Sequence, residues 1–202
     1  MQHNRFLRSF SWCLISVLSP GALAATLAVV SAEQPLWLVE QPQSDSPLLT
    51  ARLPGLARVA PYQSQVTLML SCHAPARAPG LELQIAAAEL GFSVDAFEGP
   101  DASRHGPLSL TLAGHPGRTY PINGAYREAG RYQVGSVFAF GFTPAAADLA
   151  DWLSDAARGE TLHLSLPAAE SGQPGLTAEF RLPVDSAALR QALTPCLSVP
   201  AP

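Results

Sequence analysis

The chain of 202 residues contains no lysine and only two asparagines, and charged residues make up 14% of it, compared with about 25% in an average soluble domain. Apolar residues make up 48%, which excludes a solvated disordered chain, because such chains combine low hydrophobicity with high net charge. All 12 basic residues are arginines, they form no basic run, and the formal net charge is -4. These features exclude a nucleic-acid partner, whose phosphates require a basic surface.

A long apolar run is missing from the chain except near its N-terminus. Arg5 and Arg8 precede an apolar stretch from Phe10 to Leu18, and small residues follow Pro20. This order is typical of a secretory signal peptide. We therefore predict that residues 1–32 are an export signal rather than part of the fold.

Two cleavage sites satisfy the small-residue requirement of signal peptidase. One follows Ala22-Leu23-Ala24 and the other follows Val30-Ser31-Ala32. The rival interpretation is an uncleaved anchor from Leu14 to Val30. Its 17 residues, interrupted by Pro20 and Gly21, are marginal for a bilayer core of about 30 Å.

Signal removal leaves one predicted domain, residues 33–202. Loss of Arg5 and Arg8 changes the formal net charge from -4 to -6. A chain of this length can bury about 70% of its unfolded surface, enough for a true core. We expect a periplasmic or secreted protein with no stable membrane span after signal removal. The proline-containing segment 41–61 is interpreted as a meandering arm rather than a second domain.

Cysteine is scarce, and one of the three cysteines, Cys13, is removed with the signal. Cys72 and Cys196 remain as an even pair in an oxidising compartment, which predicts a disulfide between them. The alternative is a reactive thiol or a metal pair. Against it, neither cysteine lies in a CxxC motif, and His73 has no partner at ligand spacing.

Alternation of apolar and polar residues indicates several strands with one dry face and one wet face. The residues from Gln65 to Cys72 alternate so that the cysteine faces inward. Val134 to Phe142 has apolar residues on both faces, which predicts a strand covered on both sides. Further alternating runs are 81–85, 92–94, 108–113, 162–166 and 176–182.

Helical signals come late in the chain. A helix of about four turns is predicted to begin at Thr143-Pro144 and to end at Gly159. Asp185 or Ser186 then caps a short helix that Pro195 stops. Strands followed by two helices predict an α+β domain with a mostly antiparallel sheet, one mid-length helix and a short C-terminal helix, closed by one disulfide.

Catalytic, cofactor-binding and metal-binding motifs are absent, so we predict no such residues and no cofactor. The sequence contains neither G-x-S-x-G nor H-E-x-x-H, and no two histidines lie within five residues. We expect His105, His115 and His163 at solvated positions.

Two acidic groups are not interpreted as metal-binding, and the first is interpreted as a solvated helix face. Asp148, Asp151 and Asp155 are spaced three and four apart, which places them on one side of the predicted helix, opposite its apolar stripe. Asp95, Glu98 and Asp101 surround a Gly99-Pro100 turn and do not match the spacing of a calcium loop.

Tyrosine and arginine crowd the segment 117–132. Its Asn123-Gly124 pair predicts the turn of a tight hairpin, and Tyr and Arg are enriched at interface hot spots. The segment is therefore our candidate partner-binding surface. The alternative is an ordinary exposed hairpin whose tyrosines cover the sheet. The candidate residues are Arg118, Tyr120, Tyr126, Arg127, Arg131 and Tyr132.

The order of several segments resembles VasI-type proteins associated with type VI secretion. The resemblance implies an exported accessory protein of the bacterial envelope with no established catalytic residues, and only the two cysteines carry over. This sequence departs from the family pattern at Leu49 and Thr50, where paired aspartates are expected, and it has no clear counterpart of the family's second tryptophan segment. The matching segments are Trp37 to Glu40, Ser46 to Leu48, the strand ending at Cys72, and Phe180 to Leu182 followed by a short helix and Cys196.

We therefore expect a non-enzymatic protein that binds another envelope protein. Two alternatives remain open. One is a periplasmic immunity or inhibitor protein that plugs a toxin, and the other is a secreted hydrolase whose triad is assembled from distant residues.

Overall fold

The structure, a computed structural model, describes residues 32–41, 44–73, 75, 78–85, 90–94, 97, 106–122, 124–128 and 137–197, with the backbone alone at 78, 124–128 and 137. Ten strands form one sheet, and every pair in it is antiparallel. This confirms the predicted fold class. The strands are β1 (Leu38–Glu40), β2 (Leu48–Val59), β3 (Tyr62–His73), β4 (Ala78–Ile85), β5 (Leu108–Leu112), β6 (Arg118–Tyr120), β7 (Gly124–Glu128), β8 (Val137–Phe142), β9 (Thr161–Leu166) and β10 (Leu176–Arg181).

The sheet is nearly closed and barrel-like. Its strand order is β6-β5-β9-β10-β2-β3-β4-β8-β7, with β1 added to β2. β6 and β7 occupy its two ends, yet only residues 121–123 separate them in the chain, so the two ends must lie close together. Tyr120 of β6 also packs on Phe142 of β8 at 5.3 Å between ring centroids. Its hydroxyl accepts a hydrogen bond from the Ala145 amide at 3.3 Å.

This closure corrects the hairpin predicted at Asn123-Gly124. β6 pairs with β5, and β7 pairs with β8. The segment between them therefore connects opposite ends of the sheet instead of turning one strand back on its neighbour. The dipeptide indicates a local change of chain direction, whereas strand pairing depends on residues far away in the sequence.

The predicted arm 41–61 is also wrong, because most of it forms the 12-residue strand β2. One edge of β2 pairs with β3 along its whole length. The other edge pairs with β1 at residues 50–52 and with β10 at residues 56–58. Pro54 falls in the interval between those two pairings, where its missing N–H removes no bond to β1 or β10.

The core lies on the inward faces of the strands. The alternating apolar residues of β3, β4, β5, β9 and β10 are buried as predicted, including Cys72. Phe138 and Ala139 are both buried, which confirms burial of both faces at the start of β8. Phe92 and Val94 are also buried, but residues 92–94 form no strand.

The late helical region contains a shorter helix than predicted. α1 spans Ala146–Trp152, its N-cap residue is Ala145, and a separate 3-10 turn follows at Asp155–Ala157. The Ser154 hydroxyl and amide both donate hydrogen bonds to the Asp151 carbonyl, at 2.6 and 3.0 Å. Ser154 itself is extended. This competing serine interaction accounts for the break in the predicted four-turn helix.

The C-terminal helix, α2, spans Ala187–Leu197 and is longer than predicted. Asp185 caps it, since its Oδ1 accepts a hydrogen bond from the Ala187 amide at 2.8 Å. The helix does not stop at Pro195, because a proline in the last turn forfeits only one helical hydrogen bond.

The predicted disulfide is present and joins α2 to the sheet. The sulfur atoms of Cys72 and Cys196 are 2.01 Å apart and their Cα atoms 5.9 Å apart, within the normal range. α2 contacts β1, β2, β3 and β4. The bond therefore fixes the last helix against the strands formed by the first part of the domain.

Candidate functional site

The tyrosine and arginine segment does not form the exposed hairpin expected from the sequence. Arg118 is exposed, but Tyr120 is buried and contributes to closure of the sheet. Tyr126 and Arg127 lie in β7, where the structure describes the backbone only, and Arg131 and Tyr132 lie outside the described residues.

A crevice between the β5–β6 turn and α1 brings together charged residues that are far apart in sequence. We name it the Asp148 crevice. Its walls include His115 and Arg118 from the turn and β6, Asp148 and Asp151 from α1, and the ring of Trp152. It has room for about 20 Å³, roughly one water molecule.

Asp148 is the most unusual group in this crevice. Its side chain is 7% exposed, and its Oδ1 lies 3.3 Å from the Arg118 Nε. The other carboxylate oxygen, Oδ2, is buried without a hydrogen-bond partner. Burial raises the pKa of Asp148, and Asp151 raises it further, while Arg118 opposes both. Such an oxygen costs free energy, because its lost hydration is not replaced.

The three aspartates predicted to share one solvated helix face therefore do not form such a face. Asp148 is buried, Asp151 lies 3.4 Å from the Nδ1 of His115, and Asp155 is 82% exposed beside Arg158. Sequence spacing places Asp148 and Asp151 correctly on one face of α1, but Asp155 lies in the separate 3-10 turn. The β5–β6 turn that covers the first turn of α1 is a nonlocal feature. No local signal in the sequence distinguishes Asp148 from its neighbours.

The remaining described histidines lie on the surface. His163 is exposed on β9, as predicted, with its Nδ1 3.7 Å from the Glu179 Oε1 on β10. His73 is also exposed. Within the described ranges, no group of three or more His, Cys, Asp or Glu side chains is arranged to hold a metal ion. His105, Asp95, Glu98 and Asp101 lie outside these ranges.

A larger pocket lies at the end of the sheet where β2 turns into β3. We name it the loop pocket, and its volume is about 240 Å³. Val59, Phe92 and Pro174 provide apolar surface, while Ser93, Glu170 and Gln173 provide polar groups. Residues 168–174 belong to the β9–β10 connection. The pocket therefore combines a buried aromatic ring from one segment with an exposed loop from another.

Comparison with protein-family models, curated proteins and solved structures finds no significant match to this chain. Among the residues that the structure describes, no helix has both the length and the apolar character needed to cross a membrane.

Proposed function

We propose that this chain is an exported, non-enzymatic protein of the bacterial envelope that binds a segment of another envelope protein. The loop pocket carries this proposal. A concave site with apolar walls and a few polar groups is the usual form of a binding site. Among known systems, the type VI secretion accessory role implied by the VasI-type resemblance is the one we favour.

The dimensions of the loop pocket favour a peptide segment over a free metabolite. Its volume of about 240 Å³ is below the roughly 300–1,000 Å³ of typical small-molecule sites. One or two partner side chains fit such a space. Val59 and Phe92 would contact their apolar part, and Glu170 would meet a polar or basic neighbour.

Export is supported by the N-terminal sequence pattern and by the disulfide. Disulfides persist in the periplasm and outside the cell, and they are rare in the cytosol. Sequencing the N-terminus of the exported protein tests this part of the proposal. We expect it to begin at Ala25 or Glu33, and an intact N-terminus would instead favour the uncleaved anchor.

Site-specific photocrosslinking in intact cells tests the binding function. A photoreactive residue at Ala169, which lines the loop pocket, should crosslink to one envelope protein. The same residue at the exposed Ser171 of the same loop is the matched control. A second change that fills the pocket, Ala168→Trp, should abolish the Ala169 crosslink.

Two results would contradict the loop pocket as the binding site. One is a failure to crosslink at Ala169, and the other is an identical crosslink from Ala169 and Ser171 that survives Ala168→Trp. The identity of the captured protein separates the two binding roles. A secretion component supports the accessory role, and a toxin supports the immunity role.

The hydrolase alternative has one observation in its favour, the His163 and Glu179 pair on the exposed sheet face, beside Ser165. A histidine oriented by a carboxylate can activate a serine. Fluorophosphonate labelling that is lost in Ser165→Ala would establish this role, whereas absence of labelling would remove this group from consideration.

A further inference from the structure

We propose that the Asp148 crevice receives one arginine side chain of the partner protein. This inference rests on the proposed binding function and adds a second contact site, on a different part of the surface from the loop pocket. Asp148 and Asp151 would bind the partner guanidinium, and Trp152 would form an apolar wall beside it.

The unpartnered oxygen of Asp148 is the observation that points to a ligand. The side chain is more than nine-tenths buried, lines the crevice, and uses only Oδ1 toward Arg118. Arg118 compensates the charge of Asp148, but Oδ2 is a buried acceptor without a partner, which is destabilising. An incoming donor to Oδ2 would remove this cost.

The two carboxylates of the crevice favour a cationic ligand, and their arrangement favours a guanidinium over an ammonium group. Asp148 and Asp151 are three residues apart on α1, so they occupy neighbouring positions on one helix face. A guanidinium presents several N–H donors in a planar fork and can bind two carboxylates at once, whereas an ammonium acts as a point charge. The predicted mature chain is acidic, which favours approach of a basic partner.

Arg118 holds the place that the partner arginine would take. The crevice has room for about one water molecule, so a guanidinium enters only when Arg118 moves outward. Arg118 is 54% exposed, and its 3.3 Å contact with Asp148 is longer than the roughly 2.7–2.9 Å of a strong charge-assisted hydrogen bond. Exchange of one guanidinium for another would replace this contact with one of the same kind.

Binding of a minimal probe tests this assignment. N-acetylarginine amide should bind the oxidised mature protein saturably in calorimetry at millimolar concentration, at pH 8. N-acetylcitrulline amide, which is neutral and nearly the same shape, should not bind. Asp148→Asn should weaken arginine-amide binding at least about tenfold. Asp155→Asn should leave it unchanged, since Asp155 lies outside the crevice.

A second variant reports on the exchange itself. Arg118→Ala removes the competing guanidinium, so the affinity for the arginine amide should rise about threefold to tenfold. If Arg118 and Asp148 form only a structural ion pair, this affinity should not rise. The proposal is wrong if arginine and citrulline amides bind alike, if the arginine amide does not bind, or if Asp148→Asn binds like the natural protein. Because the Ala169 crosslink reports on the loop pocket, it can succeed while this assignment fails.

Discussion

Replacement of Gly55 by alanine tests the packing at the centre of the sheet. Gly55 lies on the inward face of β2, next to the fully buried ring of Phe180 on β10. A Cβ atom at position 55 would lie 2.4 Å from the Phe180 Cδ1 and 2.5 Å from the Glu179 carbonyl oxygen. Optimal carbon contacts are about 3.5–4.0 Å, so either the ring or the strand must move by about 1 Å.

Neither neighbour can move easily. The ring of Phe180 is fully buried, and β10 is held on its other side by pairing with β9 along residues 176–181. Overpacking a core typically costs about 1–3 kcal/mol. Because one close contact is to backbone, we expect Gly55→Ala to reach about 3 kcal/mol, which in a domain of this size lowers the melting temperature by about 6–12 °C.

Thermal and urea unfolding followed by circular dichroism provide the measurement. Gly141→Ala in β8 is the matched control, because its new Cβ would meet the Leu81 carbonyl at an ordinary 3.5 Å. The cost of Gly55→Ala should fall in the Phe180→Leu background, where the ring is absent, but it should not vanish, because the close contact with the Glu179 carbonyl oxygen remains. A melting temperature of Gly55→Ala close to that of the natural protein would refute the proposed close packing. An equal cost in both backgrounds would refute the contribution of the Phe180 ring to it.

Three further variants test the interactions that join the helices to the sheet. Replacing both Cys72 and Cys196 with serine should lower the free energy of unfolding by about 2–5 kcal/mol. Thiol titration of the oxidised, denatured mature protein should detect no free thiol. Burial raises the pKa of Asp148 in the folded protein above its ordinary value of 3.8. The folded state therefore holds this proton more tightly than the unfolded chain does. Stability falls as the pH rises from the pKa of the unfolded state to the higher pKa of the folded state. Asp148→Asn should abolish this pH-dependent loss and should stabilise the protein at pH 7, because it removes the partly buried negative charge, and an unchanged pH dependence of stability would contradict this assignment. Tyr120→Phe removes the acceptor of a backbone amide and should cost about 1 kcal/mol in urea unfolding, whereas an unchanged midpoint would show that closure of the sheet does not depend on this hydroxyl.

Strands whose apolar and polar residues alternate clearly are predictable from this sequence. β3, β5, β9 and β10 bury every second residue, and this period of two needs no information from the rest of the fold. The disulfide is also predictable, since only two cysteines remain in the predicted exported chain. In both cases the signal lies in the residues themselves or in their number.

Features that depend on distant neighbours are not predictable in this way. β2 contains Pro54 and Gly55, two residues that locally disfavour a strand. Pro54 lies between the part of β2 that pairs with β1 and the part that pairs with β10, and Gly55 leaves space for the ring of Phe180. Asp148 has the composition of a solvated helix face and becomes buried only because the β5–β6 turn covers it. The candidate arginine site therefore could not be located from sequence spacing.

The order of strands in the sheet constrains when the protein can fold. β9 and β10 lie between β5 and β2, so the last third of the domain fills a place between strands from its first half. A chain that emerges N-terminus first can form the β2–β3–β4 meander early, but it cannot join β5 to β2 until residue 181 is available. Proteins whose strands pair across long sequence separations fold slowly. The chain therefore remains incompletely folded through most of its emergence, and the export proposed above would require this state.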